Sequence, residues 1–468
     1  MTTDVLIIGA GLSGLEAARL LHQNNIGTIV LEGRDRIGGR IWSVKSKNDH
    51  VFDLGAAWIH GINGSIPGGL LTNPLWDLVQ QTKIETRGTL QNNLQIFYPT
   101  NETNFDVQTW YGEYLLYVRE RIRLPESNAT LKYYANAFVN LKNFTEHQKQ
   151  AFYSYLHFAI ESYEGAELDV IGGKGFFDIT SIHYGEEHVF HRTGYVSLIE
   201  YLAKDVKDIR LQQIVTKISY GADLAEVQTA NGQTYQAKFV LVTVPLGVLK
   251  GRSIDFSPSL PQWKMDAIDR LGFGMLDKAV LLWNKAWWNS TDYYFLRVSA
   301  KPTEFGYWIN ANKWNDKPAI ICYFVGKEAY RLETTVNKSE VIEQVRQTLQ
   351  DMFPDRIVPT PIDSLMTYWK LDPFSNGSYS YVSVNQRYED PSYLAQPIQN
   401  QLLFAGEATS TDSYGYAHGA LMSARREVTR LLYVYNLLQN PTPSSFAMFS
   451  PDPSMIVLIA VLTCLKYL

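Results

Sequence analysis

Only two cysteines occur in 468 residues, Cys322 and Cys464, far apart and outside any Cys-x-x-Cys or Cys/His cluster. Neither a disulfide framework nor a metal site is expected from them. Charge of one sign is also scarce: 42 Lys and Arg stand against 47 Asp and Glu, for a net charge of −5. No basic run carries the interleaved aromatics that single-stranded nucleic acid needs, so nucleic acid is not an expected partner. A cationic small molecule suits the mild acidity better. No fixed-period repeat is visible. The first apolar run, Val5 to Ile8, is short and lacks a basic flank, so it does not read as a secretory leader. At the other end, the spacer NPTPSSFAMFSPDPS leads into MIVLIAVLTCLKYL, an apolar stretch too short for a typical bilayer-spanning helix. That ending has the form of a lipid-anchor signal, and a membrane-associating tail and a disordered extension both stay open. Of seven N-x-S/T triplets, those at Asn63 and Asn376 lie in loops expected near a bound ligand and are expected to stay unmodified, while those at Asn101, Asn128, Asn143, Asn289 and Asn337 carry meaning only in the secretory pathway, which a missing leader would reconcile with the tail. Location is therefore left open between cytoplasm, membrane surface and secretory route. With 46% hydrophobic and 19% charged residues, wholesale disorder is excluded, and the length allows two or three domains.

What is present is concentrated first in DVLIIGAGLSGLEAARLL. Gly9, Gly11 and Gly14 follow an apolar strand and open an Ala/Leu-rich helix, and Glu32 closes the next strand, GTIVLE, eighteen residues beyond Gly14. The first glycine permits a tight turn, the second lets the backbone approach a pyrophosphate, and the third lets helix and strand pack closely. Backbone N–H groups and the helix N-terminus then face the phosphates. A carboxylate at Glu32 can accept hydrogen bonds from adenosine ribose hydroxyls and repels a 2′-phosphate. In GRDRIGGRIWS, which begins Gly33-Arg34, Gly38 and Gly39 make a second glycine turn before Arg40, whose guanidinium can pair with a pyrophosphate.

From this segment onward the chain resembles the flavin-containing amine oxidases, most closely the polyamine oxidases. The resemblance runs in the family's order through DLGAAWIHG (Asp53 to Gly61), TNPL (Thr72 to Leu75), VTVPLGVLK (Val242 to Lys250), WKLDPFSNGSYSY (Trp369 to Tyr381) and LLFAGEATSTDSYGYAHGALMSA (Leu402 to Ala424). It implies an α/β fold, with a Rossmann-like FAD-binding domain and an α+β substrate-binding domain. Cofactor signals are dispersed along the chain, so the FAD domain is expected to be discontinuous, over residues 1–80, 195–255 and 398–436. Residues 81–194 and 256–397 then form the substrate domain, and the spacer and tail start at 437. FAD is expected to be non-covalent, because no cysteine lies between Trp369 and Gly406, where some monoamine oxidases of the family attach it. The cofactor residues implied are Gly9, Gly11, Gly14, Glu32, Arg34, Gly39, Arg40, the run Gly55, Ala56, Ala57 and Trp58, then Val215, Trp369, Gly406, Glu407, Tyr416 and Ala417. Apolar positions from Leu421 to Tyr435 form a helical stripe, and the family places that helix's positive end near the flavin.

Lys278, in GFGMLDKAVLLWN, matches the family lysine that holds a water near flavin N5; a surface lysine at a strand start is the competing reading. Tyr379 and Tyr416 match aromatics that flank the substrate. His60 can offer a neutral imidazole to a substrate amine, or be a satisfied structural histidine. Glu164 and Glu167, in ESYEGAELDV, are either acids for a distant ammonium or a solvated helix face. LDVIGGKGFF departs from the family pattern, which puts the far end of a substrate tunnel in doubt. The resemblance implies oxidation of an amine by hydride transfer to flavin, with O2 as acceptor, giving an aldehyde, a shorter amine and hydrogen peroxide. An L-amino-acid oxidase needs a cation for the substrate carboxylate, and no arginine stands out for that role. A catalytically silent flavin- or polyamine-binding sensor is the reading from another class. Histone demethylases of the family carry an added helical module and a coiled insertion for which this chain has no room.

Overall fold

The structure, a computed structural model, describes residues 1–62, 73–89, 93–99, 105–123, 128–179 and 186–439. Asn63, Thr72, Asn101, Cys464 and the spacer and apolar tail from 440 onward lie outside the described residues. Two compact units divide the chain, Met1–Arg425 and Arg426–Leu468. The second is helical to Gln439, where the description ends.

Aliphatic runs without polar alternation build the centre of an eight-stranded sheet in the first unit, as strands buried on both faces do. Thr2–Ile8 pairs in parallel with Thr28–Leu31 on one side and Thr234–Val242 on the other, which sets Ile8 beside Leu31 and Val242. Leu402–Phe404 joins in parallel and sets Phe404 beside Val242. Four strands drawn from distant parts of the chain therefore end along one edge. Val215–Ser219 and Ala225–Thr229 complete an antiparallel meander with Thr234–Val242, turning at Asn231-Gly232, where Gly232 takes φ +81. Leu6, Ile8, Val240, Val242, Leu402 and Phe404 are packed into one buried core.

A second, six-stranded sheet contains Leu276–Leu282, the strand expected at KAVLLWN, between Ala319–Val325 and Asp363–Met366. Its residues alternate strictly. Ala279 and Leu281 pack with Cys322 and Phe324 on one face, while Leu276, Val280 and Leu282 pack with Tyr307 and Tyr323 on the other. Period-two geometry puts Lys278 on this second face, directly opposite Tyr323 in register. The helix Lys338–Met352, expected at SEVIEQVRQTLQDMF, covers the first face through Val341, Val345 and Leu349.

Three helices, Val107–Arg121, Leu131–Leu141 and Glu146–Leu156, begin at side-chain caps on Asp106, Thr130 and Thr145; the last is a capping box with Gln148. Tyr114, Phe138 and Phe152 meet between them with ring centroids 5.6–5.7 Å apart. The third helix runs into a π-turn at His157–Glu161 and stops at Gly165, which takes φ +62. A solvated helix face through both Glu164 and Glu167 was one expectation for this stretch, and the turn at Gly165 breaks it. A three-stranded sheet of Trp58–Ile62, Glu186–Phe190 and Thr86–Thr89 is antiparallel throughout.

Among the described residues no helix is long and apolar enough to cross a membrane, and no cluster of three or more His, Cys, Asp or Glu could hold a metal ion. Asn128, Asn143, Asn289 and Asn337 are exposed. Asn376 instead donates its amide to the Gly247 carbonyl at 2.8 Å.

Candidate active site

The residues that follow the four strand ends line one cavity of about 390 Å³. Gly9, Glu32, Thr243 and Gly406 all border it. This is the position, outside the carboxyl edge of a parallel sheet, where α/β folds bind ligands. Gly9 takes φ +110, and a Cβ there would sit 2.9 Å from Thr243 Oγ1. Gly14 is the one glycine of the motif that does not line the cavity. A Cβ on it would lie 2.0 Å from the Gly9 carbonyl oxygen, so its role is the close approach of helix to strand. Gly11 differs again: it lines the cavity and its Cβ direction is open space, with nothing within 4 Å. Room is thus kept at the N-terminus of the helix Leu12–Gln23, and this is the observation that fits a bound dinucleotide.

Glu32 accepts hydrogen bonds from the backbone N–H of Ala10 (2.8 Å) and of Arg34 (2.9 Å), so it ties the two glycine turns together. A carboxylate keeps lone pairs beyond those two. Arg34 is bound to Asp372 at 2.6 Å, and Arg40 to Glu407 at 2.7 Å. Glu407 also accepts from the Ser380 hydroxyl (3.1 Å) and the Gly415 N–H (2.9 Å), so one acid joins three segments around the cavity. Gly39, Val215 and Ala417 lie on the wall, as do Gly55, Ala56, Ala57 and Trp58. Trp369, also on the wall, is held edge-on to Trp42 at 6.0 Å, and its backbone N–H is donated to Asp277 at 3.2 Å.

Lys278 is buried, and its ammonium donates to the carbonyls of Asp53 (2.9 Å) and Gly55 (2.6 Å). Burial lowers its pKa to about 8, against the opposing attraction of Asp53. Its third N–H remains for the cavity that it lines. Tyr379 donates its hydroxyl to the Ser162 carbonyl at 3.1 Å, and Tyr416 stands edge-on to His60 at 5.1 Å. Burial pushes both phenols well above the ordinary tyrosine range, so they stay neutral hydroxyls.

The two acids of ESYEGAELDV part company. Glu164 lines the cavity, makes no hydrogen bond or ion pair among the described residues, and is pushed up to about 7 by burial alone. Glu167 does not reach the cavity. Its carboxylate pairs with the exposed Lys327 at 2.8 Å, and Gly165, between the two acids, turns the chain, so the structure does not bring Glu167 together with the other candidate substrate residues. Sequence reading also passed over Glu187, which lines the cavity beside His60 at 2.6 Å. Its signal was an acid at an inward position of the strand EEHVF, where Glu187, Val189 and Phe190 are all buried.

Residues 12–432 match the family described as flavin containing amine oxidoreductase. Polyamine oxidase 2 of Arabidopsis thaliana is 33% identical over 93% of this chain and 90% of its own length. Polyamine oxidase 4 of Oryza sativa subsp. japonica is 31% identical over 90% of this chain and 86% of its own. Lysine-specific histone demethylase 1 homolog 3 of Arabidopsis thaliana is also 31% identical, over 92% of this chain, but the chain spans only 30% of that protein. With the glycine turns, the helix terminus and the cavity in place, and with a match over most of its length, the chain belongs to the flavin-containing amine oxidoreductases.

Proposed function

We propose that this protein is a polyamine oxidase that holds FAD non-covalently. In this reading residues 1–80, 195–255 and 398–436 carry the cofactor, and residues 81–194 and 256–397 shape the substrate side. The observation that supports it is the charge asymmetry of the cavity. Its cations are engaged, Arg34 with Asp372, Arg40 with Glu407 and Lys278 with two carbonyls, whereas the Glu164 carboxyl has no partner among the described residues. A substrate carboxylate therefore meets no arginine that is free of an acid among the described residues of the wall, which disfavours an amino acid, and a substrate ammonium meets a waiting acid.

The glycine turns, Glu32 and the N-terminus of the first helix hold the dinucleotide, and Arg40 with Glu407 fixes the turn beside it. Flavin bound there would supply a two-electron acceptor for oxidation of the carbon next to the amine nitrogen, with O2 as the final acceptor and hydrogen peroxide as its product. Tyr379 and Tyr416 pack the alkyl chain and exclude water, and Lys278 presents its third N–H to a water that hydrolyses the imine product or assists oxygen. Replacing both tyrosines with alanine is expected to raise KM and lower kcat, with kcat/KM falling about a hundredfold. Unchanged kinetics would remove the aromatic pair from the account.

Glu164 gives the reading a pH dependence with a definite sign. Its ionised form prevails only above about 7, and an ammonium prefers that form, so spermidine is expected to bind more tightly as pH rises through about 7. Glu164→Gln should flatten that dependence and weaken binding about tenfold. A titration of spermidine affinity against pH in both proteins checks it. The function itself is tested by a peroxide-coupled panel of spermine, spermidine, acetylated polyamines, monoamines, L-amino acids and a methyl-lysine peptide, with products identified. Peroxide from polyamines is the predicted result. Peroxide only from amino acids, or only from the peptide, or binding without turnover, contradicts it.

A further inference from the structure

His60 and Glu187 meet because of an irregularity in strand pairing. In the sheet that joins Trp58–Ile62 to Glu186–Phe190, Ile59 lies opposite His188 and Ile62 opposite Glu186, so His60 and Gly61 together face Glu187 alone. That is a β-bulge, and Gly61 takes the φ of +67 that lets it close. The imidazole it re-aims has Nδ1 2.6 Å from Glu187 Oε1. An ionised carboxylate only accepts, so Nδ1 carries a proton, and in the neutral imidazole the lone pair is then on Nε2. Nε2 has no hydrogen-bond partner among the described residues, and His60 lines the cavity. The ring is fixed by Tyr416 edge-on at 5.1 Å and Trp58 stacked at 6.3 Å, and the His60 carbonyl accepts the Asn73 amide at 2.6 Å.

We propose that Glu187 is a positioning residue: it fixes the Nδ1–H form of His60, so that Nε2 takes a proton from the substrate ammonium before the adjacent C–H bond is oxidised. This rests on the amine-oxidase reading above. The ammonium N–H bond breaks with its electron pair staying on nitrogen, an Nε2–H bond forms, and the positive charge passes to an imidazolium beside the Glu187 carboxylate. The neutral amine then has the lone pair that an imine needs. Other ionisable groups around the pair come from every side: His188 on the opposite strand, Tyr416 and, through Asn73, His418, then Tyr163 and Glu164 across the cavity, Tyr294 and Tyr307 from the six-stranded sheet, and Lys278. Of these, Glu187 is the anion in direct contact with the imidazole.

The test is the rate at which saturating spermidine bleaches the flavin of the holoprotein without oxygen, followed against pH. In the parent this rate rises with pH as the ammonium loses its proton. Glu187→Gln is expected to move that rise about one unit toward lower pH, because removing the negative charge loosens the proton shared by amine and imidazole. Glu187→Asp, which keeps the charge, is expected to leave it in place. In a His60→Gln background, Glu187→Gln should add no further shift. Should the glutamine variant not hold flavin, Glu187→Leu serves as the uncharged variant. A rise that stays in place in the uncharged variant, or one that still moves without His60, overturns the proposal. A parent that no amine bleaches overturns the amine-oxidase reading and this inference with it.

Discussion

Lys278→Met is expected to lower turnover by about two to three orders of magnitude while flavin stays bound. Methionine keeps the length and apolar stem of lysine and removes all three N–H donors. The strand Leu276–Leu282 has no need of the charge, because it is buried along its whole length and Lys278 is only 3% exposed. Its ammonium instead bridges two carbonyls of the DLGAAW segment and keeps one donor for the cavity. A structural lysine would give a variant of lower stability with normal turnover. A lysine that holds the reacting water gives lost turnover and slowed reoxidation in folded, flavin-loaded protein, beyond any loss of stability from the two carbonyls it bridges. Because its pKa is lowered to about 8, the ammonium is lost as pH climbs past that value, so turnover of the parent should fall above about pH 8 and the methionine variant should lack that descent. The measurements are kcat by peroxide release, the rate of flavin reoxidation after mixing with O2, and their pH profiles. Unaltered turnover and reoxidation would remove Lys278 from the mechanism.

Gly14→Val should yield protein that purifies without flavin. The added Cβ would lie 2.0 Å from the Gly9 carbonyl oxygen and 3.2 Å from the Gly9 carbonyl carbon, and a backbone carbonyl cannot rotate aside as a side chain would. The helix Leu12–Gln23 must then lift from the strand Thr2–Ile8, and its N-terminal N–H groups lose their aim at the phosphates. Gly11→Ala is the informative contrast. Its Cβ meets nothing within 4 Å, so folding is spared, yet the methyl enters the space kept for the cofactor. Flavin content and Tm should therefore both fall in the Gly14 variant, whereas in the Gly11 variant flavin affinity falls and the Tm of the flavin-free protein holds. A yellow Gly14→Val protein with the parent's Tm would show that the turn is only structural.

These expectations separate what local sequence carries from what only folding supplies. The glycine turns were legible because strand, turn and helix follow one another within a few residues and each glycine answers a local steric demand. Lys278 was singled out only because its GFGMLDK context resembles the family's, since the strand is buried along its whole length and shows no polar alternation from which a face could be read; the face comes from the pairing with Ala319–Val325. The ion pairs around the cavity were not legible: Arg34 finds Asp372 at a separation of 338 residues, and Arg40 finds Glu407 at 367. No spacing rule reaches that far. Glu164 and Glu167 look equivalent in sequence, and a left-handed glycine between them sends one inward and the other to Lys327. The π-turn at His157–Glu161 inserts a residue into the helical period just before Glu164, which pattern reading at 3.6 residues per turn does not register. Glu187 escaped because its meaning lies in a bulge on the neighbouring strand.

The most direct test of the central claim is to mix purified protein with spermine in the absence of oxygen and then admit air. The account predicts a yellow protein whose colour fades on amine addition and returns with oxygen, with one peroxide released for each flavin reoxidised. Protein that stays colourless after reconstitution with FAD, or a yellow colour that no amine bleaches, would contradict it.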